Sequence, residues 1–320
     1  MTSENRTHIF GPVPSRRLGL SLGVDLIPSK TCTFDCLYCE VGRTTDRTIQ
    51  TRPYVPVSEI LEQLRRKLLV CSPDIITLAG SGEPTLHSEI HRIIRGIREI
   101  TDTRVAVLTN GSLFWNKEIR DRVLDADIIM PTLSSAFGQT FGRIHRPHPD
   151  IHLSAVVQGL RALRMDYKGL IFLEVVFLAG INDTVEEEEA LKDVIDTIRP
   201  DRIQINTVVR PPSDPRARAL DPGQLEKIRL LLGEDAEVIA GTPRHEGGGR
   251  AAQSAAEILL DTLKRRPLRA ADIVDSLNMD PHEVDDLIKG LMIKGYIRGR
   301  EHSGEIFYLS NEGGFREEKE

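Results

Sequence analysis

Apolar residues recur at helical spacing in several stretches of the chain, and short β-branched runs lie between these stretches. The first helical stretch follows Ser58, and the second extends from Ile90 to Ile97. Apolar runs that predict strands lie at 22–27, 74–79, 104–109, 127–133, 170–177 and 202–208. This alternation is typical of a parallel sheet with crossover helices. The pattern therefore predicts an α/β fold with six βα units.

The pattern changes after a further predicted strand at 237–240. Residues 246–253 include consecutive glycines and predict a flexible linker. Beyond it, helical stretches lie at 255–263, 270–277 and 281–293, and two apolar runs flank a predicted turn. Three helices followed by a two-stranded wing resemble a winged helix-turn-helix. We therefore predict an N-terminal arm at 1–19, a core barrel at 20–245, the linker at 246–253, a winged-helix-like domain at 254–312 and a charged tail at 313–320.

Length and charge limit the choice of function. With 320 residues, the chain suits a barrel plus a small second domain. No apolar run approaches the ~20 residues that cross a bilayer, so we expect a cytoplasmic protein with no membrane partner. The 42 basic and 48 acidic side chains give a net charge of −6, which provides no overall attraction to nucleic acid.

The winged-helix-like segment is itself acidic. Its third helix carries Glu283, Asp285 and Asp286 against Lys289, whereas contact with phosphates needs positive charge. We therefore rank docking of a protein, or presentation of a substrate, above DNA binding for this domain. DNA binding stays open as an alternative.

Cys32, Cys36 and Cys39 carry the most specific chemical information in the chain, because they lie within eight consecutive residues, 32–39. Three thiolates so close in sequence can converge on one soft metal centre. A [4Fe–4S] cluster needs four ligands, so three cysteines would leave one iron open to another ligand.

Zinc binding and a disulfide are the alternatives for these cysteines. A structural zinc site needs a fourth Cys or His at short spacing, but His8, His87 and Cys71 are all distant in sequence. A disulfide needs an oxidising compartment, yet residues 1–6 lack the apolar run of a signal peptide. We therefore predict an iron–sulfur cluster on the three cysteines, and we expect Cys71 to be buried and outside the chemistry.

The CxxxCxYC spacing of Cys32, Cys36 and Cys39, with Tyr38 before the last cysteine, resembles the signature of the radical S-adenosylmethionine (SAM) superfamily. The resemblance implies a partial (βα)6 TIM-type barrel that binds a [4Fe–4S] cluster and SAM. It implies that SAM chelates the open iron and is cleaved reductively to a 5′-deoxyadenosyl radical, which abstracts hydrogen from a substrate. It also implies an electron donor such as flavodoxin or ferredoxin, and a place for Tyr38 near the adenine.

Residues 80–83 follow the predicted strand at 74–79 and read Gly-Ser-Gly-Glu. They resemble the GGE motif of the superfamily, with Ser81 as a departure between the two glycines. The resemblance implies that the backbone of Gly80 and Gly82 and the carboxylate of Glu83 hold the methionine end of SAM. An ordinary glycine-rich turn is the alternative.

Two further strand ends carry candidate ligands, since chemistry in such barrels lies at the C-terminal ends of strands. Asn110, in Thr109-Asn110-Gly111, resembles the TNG turn of many superfamily members, and a plain turn is the alternative. Ser134 and its neighbour Ser135 occupy the position where superfamily members place a polar group against the SAM ribose.

Two strands contain polar residues among apolar ones. Glu174 lies within an apolar strand, so it either faces the barrel interior and binds a ligand or neutralises an arginine such as Arg143. Gln204 and Asn206 share one face of the last strand because side chains alternate with a period of two. If that face is the interior, both amides contact SAM or substrate; a strand with one solvated face is the alternative.

Basic residues follow the fourth and sixth strands at 143–148 and 209–212, and Arg16 and Arg17 precede the cysteine run. Arginine matches the geometry of phosphate and carboxylate, so these loops suggest an anionic substrate. Solvated loops are the alternative for the two loops, and an irregular N-terminal arm that covers the barrel is the alternative for the segment with Arg16 and Arg17.

We interpret the chain as a radical SAM enzyme whose catalytic residues are unknown. The run 11–43 is most similar to iron–sulfur oxidoreductases that resemble the enzymes building the tricyclic wyosine base of transfer RNA, which suggests an RNA substrate. An activase that abstracts hydrogen from a glycine of a partner protein is one alternative. A cluster-containing redox sensor that binds DNA through its winged helix is another.

Overall fold

The computed structural model describes residues 7–239, 255–277 and 279–311. The first of these ranges contains the strands β1 Ile9–Ser15, β2 Gly19–Val24, β3 Thr31–Cys32, β4 Asp46–Arg47, β5 Ile75–Leu78, β6 Arg104–Thr109, β7 Ile128–Pro131, β8 Leu170–Val176, β9 Arg202–Asn206 and β10 Ala236–Val238. Its helices are α1 Val57–Leu68, α2 Ile90–Ile100, α3 Lys117–Asp121, α4 Gly138–His145, α5 Leu153–Asp166, α6 Val185–Ile198 and α7 Pro222–Leu232, with a 3₁₀ turn at Pro84–Leu86.

One sheet has the strand order β1-β2-β5-β6-β7-β8-β9-β10. The seven strands from β2 to β10 are parallel, and helices connect them. Strands β5 and β7 are buried at every position, because helices cover one face of the sheet and side chains fill the other. The predicted α/β class and partial TIM-type barrel are confirmed, with β10 as a seventh parallel strand at the position predicted near 237–240.

The N-terminal segment differs from the predicted irregular arm. Residues Ile9–Ser15 form β1, which pairs antiparallel with β2 at the edge of the sheet. The sequence pattern did not predict this strand because it contains Pro12 and Pro14, which lack an N–H group. An edge strand tolerates proline, since the N–H groups on its outer side have no partner strand. Strand β2 also begins before the predicted limit of 22–27.

The C-terminal part has its own core and its own sheet. It contains α8 Ala255–Leu263, β11 Leu268–Arg269, α9 Ala270–Leu277, α10 Pro281–Ile293, β12 Ile297–His302 and β13 Glu305–Ser310. The sheet order is β11-β13-β12, all antiparallel. Three helices and a hairpin agree with the predicted pattern, and β11 adds a short third strand. The winged-helix assignment stays a prediction, while the linker at 246–253 and the tail at 313–320 lie outside the described residues.

This small domain packs on the edge strand of the barrel. Helices α8 and α9 contact β1. Arg265 forms an ion pair with Asp25 at 3.0 Å, with both side chains buried, and its guanidinium lies 4.8 Å from the centre of the Phe10 ring. The ion pair crosses from the small domain to the loop after β2. None of the described helices is both long and apolar enough to cross a membrane.

Candidate active site

A cavity of about 370 Å³ lies where the parallel strands end. Its volume falls within the usual range of small-molecule sites. Ten of the eleven site residues predicted from sequence line it: Cys32, Cys36, Tyr38, Cys39, Gly80, Gly82, Glu83, Asn110, Glu174 and Asn206. Strand C-termini and the loops that follow them therefore bring together residues that are far apart in sequence.

The cysteine loop is fixed by backbone hydrogen bonds to the end of α4. The Asp35 N–H donates to the His145 carbonyl at 3.0 Å, and the Leu37 N–H donates to the Ile144 carbonyl at 2.9 Å. The Asp35 carboxylate in turn accepts from the Thr44 N–H at 2.8 Å. The middle of the loop is thus held by α4, and Asp35 also connects it to the segment that follows.

Sequence reasoning missed His145, whose Nδ1 lies 3.3 Å from Cys36 Sγ. The ring packs against Phe34 and Phe141, with centroid distances of 5.1 Å to each. Burial lowers the pKa of His145 to about 3, so the ring is neutral near pH 7. A neutral ring with its proton on Nδ1 donates a hydrogen bond to the sulfur. No spacing rule signals this contact, because the two residues are 109 positions apart.

The three cysteines offer the donor chemistry that an iron–sulfur cluster needs. In a four-iron cluster each thiolate binds a different iron. All three thiols are free and line one cavity, so they offer soft ligands beside open space.

Burial controls the protonation of these thiols. It raises the pKa of Cys32 to about 12 and raises those of Cys36 and Cys39 above the ordinary value. Without metal the thiols therefore stay protonated at neutral pH, and cluster binding releases their protons. Burial also raises the pKa of Cys71, but its Sγ lies in the core, 3.2 Å from the Lys67 carbonyl oxygen and outside the cavity wall.

The glycines at 80 and 82 are required by close packing. Gly80 has a φ of +148°, and a Cβ there would lie 2.6 Å from the Asp25 carboxyl carbon. A Cβ on Gly82 would overlap the carbonyl oxygen of Thr31, next to Cys32. This loop therefore packs directly on the cysteine loop, which explains why both motifs occur together.

Ser81 departs from the GGE pattern, and both its hydroxyl and its backbone N–H form hydrogen bonds to one carboxylate. The Ser81 hydroxyl donates to Asp25 at 2.6 Å, and its N–H donates to the same carboxylate at 3.1 Å. Arg265 donates to Asp25 from the other domain at 3.0 Å. The loop is thus connected through one buried carboxylate to the C-terminal domain.

Glu83 joins the loops that follow β5 and β6. Its carboxylate accepts from the Thr109 hydroxyl at 2.6 Å and from the Asn110 N–H at 2.8 Å, besides two donors on Thr85. Burial raises the pKa of Glu83, and these donors offset that effect only in part. Asn110 also donates to the Thr33 hydroxyl at 2.6 Å, and its amide nitrogen lies 3.7 Å from Cys32 Sγ.

Glu174 and Asn206 lie in the part of the wall formed by β8 and β9. Glu174 pairs with Arg17 at 3.1 Å and accepts from the Asn206 amide at 3.0 Å. Arg143 is exposed and is not its partner. Both expected features of Glu174 therefore occur together: it faces the cavity, and it neutralises an arginine, although a different one.

Two predicted polar residues lie outside the cavity wall. Ser134 is fully buried, accepts from the Val176 N–H at 3.1 Å, and supports the backbone of β8. Gln204 donates to Glu237 on the neighbouring strand at 2.9 Å. The structure thus gives Ser134 a backbone partner where a contact with the SAM ribose was predicted, because its hydroxyl points into the sheet.

The two basic loops have different roles. In the loop 143–148, Arg146 donates to the Asp35 carbonyl at 2.6 Å and pairs with Asp214, so it braces the cysteine loop outside the cavity. In the loop 209–212, Arg210 lines the cavity and pairs with Glu40 at 3.0 Å. Sequence reasoning missed Arg265 and Arg266, which reach the cavity from the C-terminal domain.

A parallel-stranded partial barrel with three cysteine thiols in the wall of its C-terminal cavity is an α/β fold with a candidate iron–sulfur site. A sequence model of the Radical SAM superfamily matches residues 26–195. The chain therefore belongs to the radical SAM superfamily. Members of this superfamily use a [4Fe–4S] cluster and SAM and need a reductant, and these cofactors are accordingly those of this chain.

The chain is also similar to individual proteins in sequence and in fold. The chain is 31% identical over 314 residues to a UPF0026 protein of Methanocaldococcus jannaschii, covering 95% of this chain and 96% of that protein. It is 36% identical over 306 residues to a Brachyspira hyodysenteriae protein named GTPase Obg, covering 95% of this chain but only 45% of that protein. In fold it is similar to a radical SAM methyltransferase from Sphaerobacter thermophilus, with a TM-score of 0.52, 16% identity and coverage of 68% and 65% of the two chains.

Proposed function

We propose that Cys32, Cys36 and Cys39 hold the [4Fe–4S] cluster and that the loop from Gly80 to Glu83 holds the methionine end of SAM. When bound, the two cofactors supply reductive cleavage of SAM to a 5′-deoxyadenosyl radical that abstracts hydrogen from the substrate. The observation that carries this proposal is the meeting of both motifs in one cavity. Their direct packing through Gly82 and Thr31 supports it.

The chain's own residues bind and orient in this proposal. Gly80 and Gly82 let the 80–83 loop pack against Asp25 and the Thr31 carbonyl while it lines the cavity. Glu83 is an acceptor already fixed by Thr109 and Asn110. Tyr38 lies in the wall beside His145, with ring centroids 5.9 Å apart, where it can pack against an aromatic base. Flavodoxin or ferredoxin is the proposed electron donor, and a reducing cytoplasm is the proposed compartment.

An anionic substrate, with RNA as the candidate, is the proposed hydrogen donor. The arginines of the cavity wall favour an anion over a backbone glycine of a protein partner. A DNA-binding sensor has less support, because Lys289 on the third helix of the C-terminal domain is paired with Asp285 and exposed acidic residues surround it.

The test begins with anaerobic reconstitution of iron and sulfide, reduction with dithionite and addition of SAM. We expect 5′-deoxyadenosine by mass spectrometry, with its formation and the iron content lost in Cys36→Ala. Cys71→Ala is the matched control, since Cys71 lies in the core, and it should retain both. An intact cluster that yields no 5′-deoxyadenosine, or equal iron loss in both variants, contradicts the proposal.

A further inference from the structure

Three arginines from distant segments line the cavity near one carboxylate. Arg16 follows β1, Arg210 follows β9, and Arg266 follows α8 in the C-terminal domain. Burial is the main cause of the lowered pKa values of Arg16 and Arg266, and Arg210 lowers both further, so the three positive charges are close enough to repel one another. Glu40 is the carboxylate that faces all three.

Two of these arginines lack a carboxylate partner within the described residues. Arg210 forms an ion pair with Glu40 at 3.0 Å. The other two arginines of the cavity wall, Arg17 and Arg265, form ion pairs with Glu174 and Asp25. The nearest acceptors of the remaining two are neutral. Arg16 donates to the Asn206 amide oxygen and the Ile239 carbonyl, both at 3.2 Å.

Arg266 is even less satisfied. It donates to the Pro14 carbonyl at 3.4 Å, and its Nε is buried with no acceptor in the described chain. The Nε of Arg210, a side chain only 7% exposed, is likewise buried without an acceptor. Asp272 influences Arg266, but Arg269 holds that carboxylate at 3.0 Å.

Uncompensated charge at this place is costly to the folded protein. Burial lowers the pKa of Arg16 to about 10 and that of Arg266 to about 9. Burial raises the pKa of Glu40, but the three arginines lower it below the ordinary value, so Glu40 is already ionised and supplies one negative charge against three positive ones. Arg16 and Arg266 are only partly exposed, and charges withdrawn from solvent are stabilised by a compensating partner. An oxyanion entering the cavity would be such a partner.

We propose that Arg16 and Arg266, supported by Arg210, bind an oxyanion of the substrate, a phosphate or a carboxylate. This inference rests on the proposed function in one respect: that the molecule in the cavity is the substrate of the radical reaction. The C-terminal domain then supplies a substrate-binding arginine, a more specific role than the protein docking expected from its acidic surface. Arginine suits the role, since its planar fork matches both oxyanions.

The test measures binding rather than turnover. Full-length protein, reconstituted anaerobically with its cluster and SAM, is titrated in a calorimeter with inorganic phosphate and separately with succinate. Arg16→Gln and Arg266→Gln should each weaken the preferred oxyanion about tenfold or more, because each removes a charged donor. Arg65→Gln is the control: it removes the same charge from an exposed position on α1 and should bind like the wild type.

SAM affinity and iron content of the same variants decide between explanations. Values within twofold of the wild type show that the variants are folded and that the arginines serve a ligand other than SAM. A parallel loss of SAM affinity overturns the proposal, because the arginines would then hold the SAM carboxylate. Absence of oxyanion binding in the wild type, or equal binding in all variants, also overturns it. Oxyanion binding lost in Arg266→Gln, together with no 5′-deoxyadenosine from the wild type, keeps the oxyanion site and rejects the radical reaction.

Discussion

Two walls of the cavity satisfy their polar groups in different ways: the proposed cofactor wall, and the arginine wall formed by Arg16, Arg210 and Arg266. In the cofactor wall, which contains the cysteine loop and residues 80–83, Glu83 accepts hydrogen bonds from three neighbouring residues. In the arginine wall, Arg16 and Arg266 have only neutral acceptors among the described residues. The first wall is assembled by the protein itself, and the second retains charge that a ligand can use.

The origin of the two walls differs as well. The cofactor wall comes from loops that follow adjacent parallel strands, β2, β5 and β6. The arginine wall needs the edge strand β1, the strand β9 next to the opposite edge, and a second domain. The common feature is Asp25, which binds Ser81 in the cofactor wall and Arg265 in the C-terminal domain. The predictions below test how independent the two walls are.

The largest effect is expected from Gly82→Ala. The added Cβ would overlap the Thr31 carbonyl and push the 80–83 loop away from the cysteine loop. We expect iron incorporation after reconstitution to fall to a small fraction of the wild-type value, as measured by iron and sulfide analysis, while the oxyanion affinity of the arginine wall is retained.

Gly142→Ala is the matched control for this variant. Gly142 lies inside α4, and a Cβ there would meet nothing within 4 Å. Alanine is the better helix former by about 0.5–1 kcal/mol, so this variant should load iron normally. Normal iron loading by Gly82→Ala would show that the two motifs do not depend on each other.

The cofactor wall could be predicted from sequence because its signals are local. Cys32, Cys36 and Cys39 fall within one short loop, and Gly80 and Gly82 follow directly after an apolar strand. The arginine wall could be predicted only in part. Arg16 and the basic loop with Arg210 are visible in the sequence, but Arg266 reaches the cavity only when its domain packs on β1. Strand β1 was itself not predicted, because Pro12 and Pro14 argue against a central strand. Proline is tolerated in an edge strand, and the sequence does not show that β1 lies at the edge.

Polar residues on strands were predicted correctly only in part, for a related reason. The two-residue period placed Gln204 and Asn206 on one face of β9, but it does not show how far along the strand the cavity extends. Asn206 at the strand end reaches the cavity, whereas Gln204 binds Glu237. The position of Ser134 at a strand end likewise did not show where its side chain points. Its hydroxyl accepts a hydrogen bond from the Val176 N–H and does not reach the cavity.

A smaller effect is expected from Arg265→Met, which tests the connection between the walls. The change leaves Asp25 buried without its guanidinium partner, and loss of one member of a buried ion pair costs about 3–5 kcal/mol. We expect the free energy of unfolding to fall by that amount in urea titrations. Since Asp25 also holds Ser81, SAM affinity measured by calorimetry should fall as well.

Arg229→Met is the control for the stability measurement. Its ion pair with Glu226 lies on the surface of α7, where such pairs contribute at most about 1 kcal/mol. A stability loss in Arg265→Met without any change of SAM affinity would show that the C-terminal domain stabilises the barrel but leaves the cofactor wall unaffected.

The smallest effect is expected from His145→Phe, which alters the cofactor wall alone. Phenylalanine keeps the packing against Phe34 and Phe141 but removes the nitrogen that lies 3.3 Å from Cys36 Sγ. A hydrogen bond to a cluster ligand favours the reduced, more negative state, so its loss should lower the midpoint potential. About 1 kcal/mol of hydrogen-bond energy corresponds to roughly 40 mV for one electron.

Potentiometric titration followed by electron paramagnetic resonance measures this shift in midpoint potential. The control is His148→Phe, because His148 is partly exposed. An unchanged potential would mean that His145 only fills space, whereas a shift together with unaltered oxyanion affinity would show that the two walls act independently at this point.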